Sequence, residues 1–134
     1  MDSSAWIEWL VDGPASAALA TEFPARSDCI VPTIVQLELA KWLTRERSEE
    51  VADEIIAFSQ TCNVVPLDTS IAVYAADLCR QHRLATADAV IYATAQKLEA
   101  DLLTCDAHFM GLPGVVYIAK GADVEGYRDR EDRY

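Results

Sequence analysis

Apolar runs too short to be helices alternate along this chain with longer segments of helical period, and that alternation restricts the fold more than any other feature. Apolar positions recur at spacings of three and four within residues 3–10, 15–22, 33–43, 48–59, 69–81 and 86–98, the repeat an amphipathic helix needs to bury one face. Between them, residues 29–31, 64–66, 102–105 and 115–118 are brief and β-branched, with turn signals such as Leu112-Pro113-Gly114 alongside. Such runs read as buried strands. Strands separated by helices are joined by right-handed crossovers, so the sheet is mostly parallel and covered on both faces. The expected architecture is an α/β/α sandwich around a mostly parallel central sheet.

The 134 residues suffice for one domain and one main core, since about 100–150 residues is the commonest single-domain size. We expect the domain to span residues 1–126 and the sign-alternating residues 127–134 to form a frayed tail. No apolar run approaches the roughly 20 residues of a membrane-spanning helix, and Met1-Asp2-Ser3-Ser4 lacks the basic start of a signal peptide. A cytoplasmic location without membrane contact is therefore expected. Cys29, Cys62, Cys79 and Cys105 contain no CxxC pair, which argues against a zinc or disulfide framework and for reduced thiols acting as small apolar side chains. The net charge of −11 opposes a polyanionic ligand. That objection weakens where carboxylates converge on a divalent ion, which then sets the local field. The same charge suits a basic partner.

In a parallel sheet, ligands gather at the carboxyl ends of strands, so acids just after strands or at helix starts come first. Asp2 precedes the helical run from Ser3 and reads equally as its N-cap. Glu38 falls within an apolar arc of Ile34, Val35, Leu37, Leu39 and Trp42, where an unpaired carboxylate is expensive; pairing with Lys41 or Arg45 is the structural alternative. Asp88 lies in the first turn of an apolar helix that Thr86 is placed to cap, so helix stabilisation alone explains it. Asp106 directly follows the run ending at Cys105, where a turn-forming Asp is ordinary. Spacing alone decides none of these. Asp28, Asp68, Asp77 and Asp101 read as turn, cap or surface acids, and His82 and His108 as surface or packing residues.

Taken in order, Asp2-Ser3-Ser4, Leu37-Glu38-Leu39, Thr86-Ala87-Asp88-Ala89 and Leu103-Thr104-Cys105-Asp106 with Phe109 resemble the acidic motifs of PIN-domain nucleases across nearly the whole chain. The one-domain size is similar to that of VapC-type toxins of toxin–antitoxin pairs. The resemblance implies a metal-dependent endoribonuclease. Asp2, Glu38, Asp88 and Asp106 would be the catalytic acids and metal ligands, with Ser3 and Thr104 as supporting hydroxyls. It also implies magnesium as cofactor, with manganese able to substitute, an RNA substrate, a cognate antitoxin and a homodimer.

Magnesium prefers oxygen ligands and keeps several waters, so a few carboxylates and a phosphate oxygen complete its shell. Lys41 and Arg45 extend the Glu38 stripe and are candidates for contacts to the RNA backbone. Trp6, Trp9 and Trp42 are candidates for the surface an antitoxin helix covers, with core burial as the alternative. The resemblance departs at the first motif, because such domains enter it from a short apolar strand and here only Met1 precedes Asp2; the first strand is expected to be truncated. Two other functions stay open: a regulatory module with a magnesium-binding acidic pocket, and an inactive PIN scaffold that only binds a partner.

Overall fold

The computed structural model describes residues 1–120, so the expected tail lies outside the described residues. The helices are α1 (Ser3–Leu10), α2 (Ser16–Glu22), α3 (Thr33–Glu46), α4 (Glu49–Ser59), α5 (Thr69–His82) and α6 (Thr86–Lys97). The strands are β1 (Ile30–Pro32), β2 (Asn63–Val65), β3 (Leu102–Thr104) and β4 (Val115–Tyr117). Capping sets several helix starts. Ser48 accepts from the Val51 N–H and Asp68 from the Ile71 N–H, each satisfying a first-turn amide that has no partner inside its helix. Thr86, expected to cap α6, does not do so: Ala85 occupies the cap position and Thr86 is already helical.

The α/β class with parallel strands holds, but the expected sheet is parted. β1 pairs in parallel with β2, and β3 in parallel with β4, as two separate two-stranded units. Residues Met1 and Asp2 enter beside β3, where the Asp2 N–H donates to the Leu103 carbonyl at 3.1 Å. A groove of about 260 Å³ separates the halves, lined by Met1, Ile30, Pro32, Leu102, Leu103 and Val116 among others.

Apolar burial holds the halves in one core. Val31, Val35, Leu39, Ala89, Ala93 and Phe109 are fully buried, and residues 89–95 of α6 are buried on every side. A helix apolar all round belongs in the centre of a domain, and α6 packs against α5, α3 and β1. Trp6 is also fully buried, with ring centroids 6.2, 5.8 and 6.1 Å from Trp9, Phe23 and Phe58. Trp42 is buried as well, at 8 % exposure. The expectation of Trp6 and Trp42 as an antitoxin-facing surface is therefore corrected, because aromatic area already inside the core is not available to a partner. All four cysteines are free thiols; burial is the main cause that pushes Cys29 up to about 11.

Candidate metal centre

Four separate segments deliver the four acids. Asp2 is held in extended backbone at the start of α1 (φ −78°, ψ 176°). Its Oδ1 accepts from the Ala5 N–H at 3.0 Å and the Ser4 hydroxyl at 2.7 Å, and its Oδ2 accepts from the Thr104 hydroxyl at 2.7 Å. Asp2 is thus both the N-cap that its position suggests and the centre of a buried network. Desolvation is the largest influence and raises its pKa; the Thr104, Ser4 and Ala5 hydrogen bonds lower it, and the nearby negative charge of Asp106 raises it further.

Thr104, fully buried on β3, joins two of the acids. While donating to Asp2, its Oγ1 accepts the Asp106 N–H at 2.9 Å. Ser4, also buried, accepts the Cys105 N–H at 3.2 Å. One face of α1 is thereby stitched to the carboxyl end of β3 by hydroxyls that satisfy buried amides and a buried carboxylate, each costly if left unpaired.

Glu38 reaches the cluster from α3. Its Oε1 accepts from the Ser3 hydroxyl at 2.5 Å. Partial burial is the main cause that raises its pKa; Ser3 and Lys41 lower it, while Asp2 and Asp106 raise it. Lys41 therefore acts on Glu38, as the sequence suggested, and Arg45 bonds Glu46 through its Nε at 3.0 Å.

Asp88 sits in the first turn of α6, where the fully buried residues that follow fix its position. Asp106 lies just after β3, is 6 % exposed, and accepts the His108 N–H at 2.9 Å, capping a short 3-10 turn. The His108 Nδ1 is 3.1 Å from Asp106 Oδ1 and 4.0 Å from Asp88 Oδ2. One ligand atom from each of Asp88, Asp106 and His108 lies within 4.8 Å of the others. Asp106 is therefore common to both groups, carboxylates Asp2 and Glu38 on one side and Asp88 with His108 on the other.

Oxygen-rich donors at these distances fit a hard divalent cation, and the neighbouring negative charges that raise the pKa of Asp2 and of Glu38 are what such a cation relieves. The structure brings together Asp2, Glu38, Asp88 and Asp106, with Ser3 and Thr104 in hydrogen-bond contact. Sequence reasoning missed Ser4 and favoured a surface or packing role for His108. Ser4 reads from sequence only as a first-turn residue, and its bond to residue 105 is a tertiary contact. His108 carried one signal, its place two residues after Asp106.

A family model for the PIN domain matches residues 1–114. Among solved structures, a chain of a toxin–antitoxin complex from Klebsiella pneumoniae superposes with a TM-score of 0.72 at 23 % identity, covering 86 % of this chain and 92 % of that one. A chain of the DNA-bound VapBC complex from Salmonella typhimurium gives a TM-score of 0.67 at 18 % identity, covering 88 % and 94 %. Among curated proteins no match was found.

Proposed function

Because the chain belongs to the PIN-domain family, we propose that it is a magnesium-dependent endoribonuclease and the toxin of a toxin–antitoxin pair. The observation that carries this reading is the convergence of Asp2, Glu38, Asp88 and Asp106 from four segments onto the carboxyl end of β3. Asp88 and Asp106, with Asp2 and Glu38 beside them, would hold the ion, and manganese would be accepted by the same oxygens. A bound divalent ion supplies Lewis-acid stabilisation at a phosphoryl oxygen and makes water more acidic.

The protein's own side chains do the rest. Thr104 fixes Asp2 and Asp106 relative to each other. Ser3 donates to Glu38 Oε1 and holds it in place, and the raised pKa of Glu38 makes it the better acceptor for a proton leaving the attacking water. His108, half-exposed at 46 %, lies at the rim and is placed to orient Asp106 and the incoming phosphate. Lys41 and Arg45, exposed on α3, would contact the RNA backbone.

An antitoxin of this toxin is expected to present arginine, whose planar fork binds carboxylates bidentately. Asp2 is only 3 % exposed, so the accessible target is Asp88, whose side chain is 21 % exposed. A homodimer, as the family resemblance implies, would carry two such sites. Asp88→Asn keeps the side-chain shape and removes the charge. It should lower RNA cleavage by at least about 100-fold with an unchanged circular dichroism spectrum. Full cleavage by the folded variant would remove Asp88 from the site.

A further inference from the structure

The members of the cluster are not equally open to an ion. Both carboxylate oxygens of Asp2 are engaged from within the protein, by Ala5, Ser4 and Thr104, and the residue is 3 % exposed. Asp88 and His108 are more open, with side chains 21 % and 46 % exposed, and His108 lies against Asp106. An incoming ion therefore meets the Asp88 side of the cluster first.

Packing sets where the His108 ring stands. Asp106 caps the 3-10 turn Ala107–Phe109, and Phe109 at its end is fully buried, its ring centroid 6.3 Å from that of Tyr92. Tyr92 follows Asp88 by one turn of α6 and so shares its face of the helix. One aromatic contact thus ties the turn that carries His108 to the helix that carries Asp88. The donor separations that result match a single coordination shell. With bonds of about 2.1 Å, adjacent ligands of an octahedral ion stand about 3.0 Å apart and opposite ligands about 4.2 Å apart. His108 Nδ1 is 3.1 Å from Asp106 Oδ1 and 4.0 Å from Asp88 Oδ2. Hydrogen bonding to Asp106 accounts for the first distance and not for the second.

We infer that His108 is itself a metal ligand: its Nδ1 joins Asp88 and Asp106 in a mixed nitrogen–oxygen site that takes first-row transition ions, manganese among them, in preference to magnesium. Magnesium is a hard ion that favours oxygen donors, whereas an imidazole nitrogen raises affinity along the first transition series. This assignment rests on the cluster being a divalent-metal site, as proposed above, but not on RNA being the substrate. It adds to the four acids a nitrogen donor and an ion preference.

The test uses the untagged full chain and manganese, whose unpaired electrons report the nuclei bonded to it. With manganese below one equivalent, electron spin-echo modulation should show a directly bonded imidazole nitrogen, and His108→Asn should abolish that signal. Affinities measured without RNA, from the free-manganese resonance and from competition by magnesium, should show manganese bound at least about tenfold more tightly than magnesium, and His108→Asn should reduce that preference by about tenfold. Asparagine can still donate to Asp106, so a residue that only orients Asp106 would leave the preference unchanged. Bound manganese without nitrogen coupling, failure to bind manganese, or an unchanged preference in His108→Asn would each overturn the assignment. Coupling that survives in His108→Asn would overturn it too, moving the nitrogen to His82, the one other histidine of the sequence. Nitrogen coupling lost with His108, in a protein that cleaves no RNA, would uphold the ligand and overturn only the nuclease reading.

Discussion

Replacing Thr104 by valine isolates the joint on which the acidic cluster depends. Valine matches the shape of threonine, so no cavity opens, but the hydroxyl's contacts disappear: the bond donated to Asp2 Oδ2 at 2.7 Å, the bond accepted from the Asp106 N–H at 2.9 Å and the longer contact with the Ser4 hydroxyl at 3.4 Å. Thr104 is fully buried. A carboxylate oxygen and an amide are therefore stranded, at about 1–3 kcal/mol each, giving a loss of about 2–6 kcal/mol. Against a native stability of about 5–15 kcal/mol, that is a large fraction. At about 4 °C per kcal/mol for a domain of this size, the melting temperature should fall by roughly 8–24 °C. Thr104→Ser keeps the hydroxyl and removes one methyl group, so it should cost only about 1 kcal/mol. Chemical denaturation followed by circular dichroism, with both variants in chelator, measures the difference. If Thr104→Val lies within 0.5 kcal/mol of the parent, roughly the resolution of such comparisons, or if serine is as damaging as valine, the hydroxyl joint does not exist as described.

Three further outcomes follow from the same geometry. Burial raises the pKa of Asp2 and Glu38 above 3.8 and 4.5, so their contribution to stability is fully present below those ordinary values and is lost as pH rises through the raised folded ones. Metal-free protein should accordingly lose this part of its stability as pH rises from 4.5, the ordinary Glu value, to pH 8, and Glu38→Gln should flatten that dependence; an unaltered slope would exclude Glu38 as a source. Magnesium at 100 times its Kd should stabilise the chain by about 2.7 kcal/mol, and Asp106→Asn should abolish most of that gain, which thermal scans with and without magnesium would show. Trp6→Ala should cost about 3–5 kcal/mol while leaving affinity for an antitoxin unchanged in any protein that still folds, since Trp6 is wholly internal; weakened affinity in a titration would return Trp6 to the interface.

Much of this fold was legible because its helices carry their own signal. The period-3.6 pattern located α3, α5 and α6 to within a few residues, and Asp106 stood out because it ends an apolar run. Glu38 was legible from its cost, as a carboxylate in an apolar arc that needs a partner. Its actual hydrogen-bond partner, Ser3, is 35 residues away, and no local pattern encodes such a contact. Strands of three residues leave little periodicity, which is why β1 and β2 are displaced by one residue from their expected positions. The α6 cap was misplaced because the side-chain chemistry of Thr86 suits a cap while its backbone is already in the helix. The tryptophans were ambiguous in principle: aromatic pairs three apart serve a core and an interface equally well, and only the packing of Trp6 against Phe23 and Phe58 separates the two.

The central claim is that these carboxylates cleave RNA through a divalent ion, and the most direct measurement is cleavage of a mixed RNA pool by the purified full chain as magnesium is titrated against chelator. The account predicts internal cleavage that rises with free magnesium, stops on chelation, returns with added magnesium or manganese, and is absent from Asp88→Asn. Cleavage that persists in excess chelator, or intact RNA in the presence of folded protein with magnesium bound, would contradict it.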